Sequence, residues 1–311
     1  MTDAGVSLTR ERVSGHREAP ARRRRLFPYL IIMPGLAYYA LFTIYPIVSQ
    51  FRISFYDWNI VPGVVSPFVG LSQYAQVLGD AVVLVALRNT ALYTVVTVPA
   101  QIVLGLGVAS LLNGRLPGRA IWRTLIFIPV ITSWVVVSYV FADLFNSQAG
   151  LVNSVLAGLF GPNFTVDWLQ NTWTGMLVIW ILAVWKGIGW SMILFLAALE
   201  SITPGVVDAA RVDGAHGLRL WRHIILPEIQ PTMTFVLVML IIGAVQAFIP
   251  VYLMTQGGPD NSTQLLLTYT YQQAFSFFDF GYAAALASVL AVALFWVSIG
   301  QYRILRARNA A

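Results

Sequence analysis

The chain of 311 residues is 58% hydrophobic and only 10% charged, with a mean hydropathy of +0.73 and a formal net charge of +6. A soluble globular domain carries about 25% charged residues, so this composition predicts an integral membrane protein. The absence of cysteine excludes disulfides, thiolate zinc sites and cysteine nucleophiles. The three histidines, His16, His216 and His223, lie in polar stretches without partners at metal-ligand spacing, so we expect no metal and no cofactor.

The chain opens with a polar tail, residues 1–25, which ends in four consecutive arginines. Six apolar stretches follow, each long enough to cross a hydrocarbon core of about 30 Å at about 1.5 Å per residue. Their approximate limits are 26–51, 87–112, 125–145, 176–199, 235–254 and 283–304. The first stretch is too long for a cleaved signal and lacks a small-residue cleavage site, which favours a retained span. The predicted fold is therefore an all-α membrane protein with six transmembrane helices.

The basic residues alternate along the chain. Sixteen of the nineteen Lys and Arg residues lie in the tail, after the second and fourth spans, and at the C-terminus. The other connections, 56–81, 146–173 and 256–280, contain none. Cytoplasmic loops carry an excess of Lys and Arg, so this pattern predicts that both termini lie in the cytoplasm. The predicted organisation is a tail (1–25), a first helix with an outer loop (26–81), a five-helix core (82–304) that includes a structured loop (201–231), and a cytoplasmic C-terminus (305–311).

The loop after the fourth span carries helix signals of its own. Thr203 before Pro204 is typical of an N-cap followed by proline at the first helical position, and Gly214 fits the left-handed residue that ends a helix. We expect a helix of about three turns between them, and a second one over 218–225 that stops at Pro227. A solvated linker is the alternative interpretation, but a capped helix is unusual in a mere connection.

A spaced pattern runs through this loop. An acidic residue and two alanines are followed, after a gap of three residues, by a glycine, and after a gap of nine more residues by Ile-x-Leu-Pro. The members of the pattern are Asp208, Ala209, Ala210, Gly214, Ile224, Leu226 and Pro227. The pattern resembles the EAA loop of ABC importer permeases, with Asp208 where glutamate is usual. The resemblance implies that these residues, together with Asp213, contact an ATPase subunit. The small alanine side chains suit the close approach of another protein.

The resemblance extends over nearly all of residues 26–303, and this wider part of the chain is similar to the maltose-type, carbohydrate-uptake permeases. Further matching segments are Thr255-Gln256-Gly257-Gly258-Pro259 with Ser262-Thr263, Phe280-Gly281-Tyr282-Ala283-Ala284-Ala285, and Trp185-Lys186. The resemblance implies a subunit in the cell membrane that forms, with a second permease chain, the path for a sugar or related polyol-type solute. We expect the second permease to be a different chain. Two cytoplasmic ATPase subunits and an extracytoplasmic solute-binding protein are the implied partners.

The chain itself is not expected to be an enzyme. A phosphate-binding P-loop needs Gly-Lys-Ser/Thr at the start of a helix, whereas the one lysine, Lys186, lies in an apolar span. A membrane-embedded enzyme would need converging nucleophile, base or metal ligands, and no predicted span contains a histidine. A self-contained secondary transporter is the remaining alternative; it would usually carry ion-coupling carboxylates within its spans, where only the end-of-span residues Asp143 and Glu200 occur.

Polar and aromatic residues within the spans are candidates for the solute path. They are Asn89, Trp134, Lys186, Gln246, Phe248 and Tyr252. Polar side chains could bond solute hydroxyls and the rings could stack on sugar faces, while helix packing is the alternative for each. A cation within a span is functional by default. For Lys186, packing toward a partner subunit and snorkelling to an interface stay open as alternatives.

Overall fold

The structure, a computed structural model, describes residues 21–114 and 116–309. Within these ranges the chain is helical between turns, and the isolated pairing of Tyr56 with Phe68 is the one strand-like feature. Most of the predicted tail and the last two residues lie outside the described ranges. The chain divides into two compact units, residues 1–50 and 51–311.

The N-terminal segment contains α1 (Ala21–Tyr39), a π-helical turn (Ala40–Ile44) and α2 (Tyr45–Ile53). Residues Ile31–Ile53 are long and apolar enough to cross a membrane. The π-helical turn has a local cause in Pro46, which has no N–H and whose ring would clash with the carbonyl four residues earlier. Widening the turn, with the Tyr45 N–H donating to the Ala40 carbonyl, accommodates the proline without ending the span.

The second unit holds the remaining helices. They are α3 (Ser72–Gly79), α4 (Ala81–Asn113), α5 (Arg119–Ile131), α6 (Trp134–Leu144), α7 (Leu151–Phe160), α8 (Thr172–Glu200), α9 (Pro204–Val212), α10 (Gly217–Leu220), α11 (Leu226–Glu228), α12 (Gln230–Val245), α13 (Ile249–Met254), α14 (Leu266–Phe275) and α15 (Phe280–Asn309). Membrane-spanning length and apolarity are found in α4, in α8, in α12 with α13, and in Phe280–Gln301 of α15. With the N-terminal segment, the described residues contain five such spans, or six if α5 and α6 form one.

The third predicted span, 125–145, is not one continuous helix. It consists of α5 and α6, bent by 96° at Thr132 and Ser133. The Thr132 hydroxyl donates to the Pro129 carbonyl at 2.6 Å, and the Thr132 backbone is extended. A short polar side chain that bonds nearby backbone competes with the helical ladder, which gives the break its local cause.

The fifth predicted span, 235–254, is also interrupted. Its helix α12 begins earlier than predicted, at Gln230, and ends at Val245, and α13 resumes at Ile249. Pro250 cannot donate to the Gln246 carbonyl and its ring would clash there, so a straight helix is excluded at this point. Phe248, between the two helices, has φ −140° and ψ −62°, outside the helical region.

Small residues bring α4, α5 and α8 close together. A Cβ atom built on Gly105 of α4 would lie 2.6 Å from the Ser191 Cβ of α8, and one on Gly189 would meet the backbone carbonyl of Ile126 in α5. Membrane helices depend on such close packing, because lipid supplies no hydrophobic force between them. These three helices therefore form a tightly packed group beside the two breaks.

Contacts between connections define two ends of the second unit. The Arg123 guanidinium lies 3.0 Å from the Glu200 carboxylate, so the segments before α5 and after α8 share one end, here called the Glu200 end. At the opposite end, the Thr172 hydroxyl donates to the Ser262 hydroxyl at 2.7 Å. The Asp80 carboxylate there bonds α14 and α15, and this is called the Asp80 end.

Candidate functional site

A cavity of about 480 Å³ lies between α4, α8 and the two helix breaks. Its size is typical of small-molecule sites, which range from about 300 to 1,000 Å³. The polar and aromatic residues that line this central cavity are Tyr93, Thr97, Gln101, Trp134, Lys186, Trp190, Gln246 and Phe248. Four of the six predicted solute-path residues thus come together here, namely Trp134, Lys186, Gln246 and Phe248.

Lys186 holds the break between α5 and α6. Its Nζ donates to the Pro129 carbonyl and to the Thr132 carbonyl, each at 2.6 Å, and the side chain is only 4% exposed. These carbonyls lose their helical partners at the break; the ammonium pairs the Thr132 carbonyl and adds to the bond that the Pro129 carbonyl accepts from the Thr132 hydroxyl. Within this chain Lys186 neither snorkels to an interface nor extends away from the bundle. Its charge stabilises unwound backbone at the cavity wall.

Trp134 completes this arrangement. Its ring centroid lies 5.0 Å from the Lys186 Nζ, within the range of a cation–π contact. Because carbonyls and the ring surround the ammonium, the polar groups left for a ligand are chiefly neutral amides and hydroxyls. No group of three or more acidic, histidine or cysteine residues able to hold a metal occurs among the described residues.

Two amides line the central cavity from opposite walls. Gln101 extends from α4 and lies against Gly187 of α8, where a Cβ atom would overlap it. Gln246 ends α12 at the second break and is exposed. Within the part of the chain that the structure describes, neither side chain makes a hydrogen bond. Each therefore keeps a donor and an acceptor for a ligand.

Asn89 and Tyr252 lie away from the central cavity. The Asn89 amide donates to the backbone carbonyls of Ser262 and Gln264, at 2.7 and 3.1 Å, which ties α4 to the loop before α14. Tyr252 lines a second cavity toward the Asp80 end and stacks on Phe248, with ring centroids 5.1 Å apart. For Asn89 the structure favours the helix-packing alternative.

Three further residues of the central cavity, Tyr93, Thr97 and Trp190, were not predicted from the sequence. The signal for the first two was present in the spacing, since residues 93, 97 and 101 recur every four positions and share one face of α4. The Thr97 hydroxyl donates to the Tyr93 carbonyl at 2.7 Å, and this leaves its lone pairs as acceptors. Trp190 lies one turn after Lys186 on α8, and nothing in the sequence distinguishes it from the nine other tryptophans.

The predicted helix after the fourth span is present as α9. Thr203 precedes α9, but its side chain makes no capping hydrogen bond. Pro204 lies in the first turn of the helix, and Gly214, beyond the end of the helix, has φ +83°. Asp208 is exposed, and its nearest cation is Arg211 at 3.4 Å. Ala209 is exposed, whereas Ala210 is buried within the segment's own packing. A large side chain at position 210 would therefore perturb the segment itself.

The predicted second helix of this segment differs from the structure. It was expected to run over 218–225 and stop at Pro227, but α10 passes into a π-helical turn, Trp221–Ile225, and then into α11. As at Pro46, the widened turn accommodates Pro227, with the Leu226 N–H donating to the Trp221 carbonyl, so the proline does not end the helix. Ile224 and Leu226 are half-buried, whereas Pro227 and Asp213 are exposed. Leu226 packs against the hydrophobic cluster that contains the last turns of α8.

The surface of α9 and α10 presents isolated apolar side chains. Val212 is 88% exposed and Leu218 is 82% exposed. Both residues belong to the segment that follows Glu200, so they lie at the Glu200 end.

Asp80 caps α4 at the opposite end. One carboxylate oxygen accepts the Val82 N–H at 2.8 Å, and the other accepts the hydroxyls of Tyr269 and Tyr282 at 2.7 and 2.6 Å. Burial by itself would raise the pKa of Asp80, but these hydrogen bonds outweigh it and hold the pKa below its usual value. Burial, with the bond to Asp80, raises the pKa of Tyr269 to about 12. The cluster joins α4, α14 and α15.

Comparison with known proteins places this arrangement in a family. Residues 101–309 match the family described as binding-protein-dependent transport system inner membrane component. The arabinooligosaccharides transport system permease protein AraP of Bacillus subtilis (strain 168) is 36% identical over 280 residues, which cover 89% of this chain and 87% of AraP. The lactose transport system permease protein LacF of Rhizobium radiobacter is 32% identical over 286 residues, 90% of this chain and 94% of LacF.

The fold has a solved counterpart. A chain of a bacterial alginate ABC transporter, crystallised in complex with an alginate pentasaccharide-bound periplasmic protein, matches with a TM-score of 0.78 at 20% identity. The match covers 91% of this chain and 95% of that one. This chain therefore belongs to the family of binding-protein-dependent transport system inner membrane components and is a multi-pass membrane permease of that class.

Proposed function

We propose that this permease forms, with a second permease chain, the translocation path for a neutral saccharide, and that the central cavity is its solute site. The observation that carries the proposal is the meeting of two broken spans at one cavity lined by unbonded amides and aromatic rings. Broken helices within a span are tolerated where they line a cavity and supply polar groups to it.

The chemistry of the lining supports a saccharide over an ion. The Lys186 charge is already satisfied by carbonyls, and no carboxylate lines the central cavity. Gln101 and Gln246 can donate to and accept from hydroxyls, while Trp134, Trp190 and Phe248 present rings that suit sugar faces. Relatives named for arabinooligosaccharide and lactose transport agree with this class of solute.

The exposed segment from α9 to α11 is proposed as the contact with an ATPase subunit, and hydrolysis is assigned to that separate subunit. The exposed Val212 and Leu218 offer apolar area, and Asp208, Ala209 and Gly214 lie on the same short segment. The basic residues Arg119 and Arg123 lie at this end, which supports a cytoplasmic position for it. The Asp80 end then faces the extracytoplasmic binding protein.

The proposal is tested by reconstitution. The tagged chain is purified gently, the co-purifying subunits are identified, and the complex is placed in proteoliposomes with its binding protein and labelled lactose or arabinotriose. We expect uptake that requires ATP. Uptake driven by an ion gradient without ATP would instead favour a secondary transporter.

The solute site is tested by Gln246→Leu, with Phe235→Leu on the exposed surface of the same helix as the matched control. Loss of one hydrogen bond of about 0.5–1.5 kcal/mol predicts a KM raised about two- to ten-fold for Gln246→Leu, and an unchanged KM for the control. Equal KM values in both variants would remove the central cavity from the solute path.

A further inference from the structure

A second cavity, of about 390 Å³, opens between α6, α13 and α14 toward the Asp80 end. Its lining is polar throughout: seven of its eight residues carry an amide or a hydroxyl, and none is charged. The members used below are Tyr252, Gln256, Gln264, Gln272 and Ser276. This polar cavity is called the outer cavity. A lipid-facing groove would not be lined in this way, because unpaired polar groups are costly in hydrocarbon.

A buried amide fixes the orientation of the outer cavity's polar groups. Gln264 is 2% exposed, and its Oε1 accepts the Thr268 hydroxyl at 2.7 Å. Its Nε2 donates to the Gln272 Oε1 at 2.6 Å. The acceptor of Gln272 is thereby used, while its own Nε2 makes no hydrogen bond to any residue that the structure describes. The outer cavity thus holds an oriented amide donor without a partner.

Aromatic rings connect the two cavities. Phe248 lines the central cavity and Tyr252 lines the outer one, and their rings are nearly parallel, 16° apart with centroids at 5.1 Å. Tyr271 packs against both rings at about 5 Å. The three rings therefore form one aromatic cluster between the two cavities. Rings of this kind, beside oriented amides, suit a ring with hydroxyls around its edge.

We infer that the outer cavity is a second saccharide site, which holds a neutral sugar before it reaches the central cavity. The inference rests on the proposed function for the kind of solute, while the amide assigned to it, Gln272, and its partner Gln264 line only the outer cavity. A neutral ligand is expected because no charged side chain lines the outer cavity. Gln272 is assigned as the donor to a sugar hydroxyl, and Tyr252 as the ring that receives the sugar face.

Cysteine protection tests the site, since the natural chain contains no cysteine. Ser276→Cys places a thiol in the outer cavity, and Asn163→Cys places one on an exposed turn outside it as the control. Each is labelled in the assembled transporter with a membrane-impermeant thiol reagent. Lactose or arabinotriose should slow labelling at position 276 several-fold and leave position 163 unaffected, and glucuronate should protect neither.

Gln272→Ala sharpens the test, with Thr270→Ala on the same helix as its control, because the Thr270 hydroxyl bonds only the Leu266 carbonyl of α14. Combined with Ser276→Cys, Gln272→Ala should require about two- to ten-fold more sugar for half-maximal protection, the loss expected for one hydrogen bond. Thr270→Ala should require the same amount as the parent. Equal requirements in all three would overturn the role of Gln272.

The outcomes separate this inference from the proposed function. Uptake of a sugar without protection at position 276 overturns the second site and leaves the proposed function standing. Protection without uptake supports the second site and contradicts saccharide import, and neither protection nor uptake overturns both. A thiol at 276 that reacts in the isolated chain but not in the assembled transporter would show that a partner subunit covers the outer cavity, which also overturns the inference.

Discussion

Replacement of Lys186 by methionine tests whether its charge holds the break between α5 and α6. Methionine keeps most of the side-chain volume and removes the ammonium, so the carbonyls of Pro129 and Thr132 each lose a bond of 2.6 Å. The similar volume of methionine separates the loss of hydrogen bonding from a loss of packing.

The size of the effect follows from these two bonds. A hydrogen bond to a charged group contributes about 1.5–3 kcal/mol in water-soluble proteins, while side-chain bonds within membranes average about 0.6 and reach about 1.7 kcal/mol. Removing the buried cation also removes its desolvation cost, which offsets part of the loss. We therefore expect Lys186→Met to destabilise the permease by about 2 kcal/mol. At about 2–4 °C per kcal/mol for a chain of this size, the Tm falls by about 4–8 °C.

The assay is thermal denaturation of the purified permease in detergent, followed by size-exclusion chromatography, together with ATP-driven uptake. Leu177→Met, on the exposed surface of the same helix, is the matched control and should leave Tm unchanged. Lys186→Arg keeps the cation but not its shape, so we expect an intermediate Tm. A Tm within about 1 °C of the parent for Lys186→Met, with normal uptake, would refute the stabilising role of the charge.

Four further predictions concern the two ends. A cysteine at Asp260 should react with an impermeant reagent in intact cells and one at His216 should not; the reverse pattern would contradict the orientation. The Gly214→Val permease should insert normally but lose uptake, because φ +83° strains any side chain at this position even though space is free. At equal membrane abundance, Asp208→Lys should lose most of the uptake, whereas Asp208→Glu should keep it. Because the pKa of Asp80 is lower in the folded than in the unfolded chain, the ionised carboxylate stabilises the fold at pH values above the unfolded pKa of about 3.9. This stabilisation is lost as the pH falls through the folded pKa. In Asp80→Asn, Tm should therefore depend less on pH below about pH 4, and a pH dependence equal to that of the parent would contradict the prediction.

Local signals in the sequence were sufficient for most of the helices. Apolar length predicted the long spans, and the pairing of Pro204 with Gly214 predicted α9, because caps and left-handed glycines act within a few residues. The break at Thr132 was missed for the converse reason. Thr132 and Ser133 lie within an apolar run, so the sequence there indicates a continuous span. Lys186, whose ammonium stabilises the break, is distant in sequence.

The candidate site was predictable only in part. Intramembrane polar and aromatic residues gave six candidates, of which four line the central cavity, and their contact with a solute stays a prediction. The partners of each could not be read from the chain. Asn89 resembles a solute ligand in sequence, yet its amide is used by carbonyls more than 170 residues away. Only the tertiary contacts distinguish the residue that binds backbone from the residue left for a ligand.

The position of α8 suggests how the two functional regions are connected. Its last residue, Glu200, lies just before the proposed ATPase contact, and Lys186, about 21 Å back along the helix, lies at the central cavity. Both residues bind α5, Glu200 through Arg123 at 3.0 Å and Lys186 through the carbonyls at the break. Side-chain contacts thus connect α5 and α8 at two positions, and we expect the two helices to move together.

Joint movement predicts a specific non-additivity. The Glu200 pair is exposed and should contribute only about 0.2–1 kcal/mol, so Glu200→Gln alone should change uptake per ATP hydrolysed far less than Lys186→Met. With both points released, α5 no longer follows α8, and the double variant should lose more coupling than the two single losses combined. Because the two positions are separated by about 21 Å, a direct interaction between the side chains cannot produce such an excess. Additive losses would show that α5 and α8 act independently, and that the movement reaches the cavity through another helix.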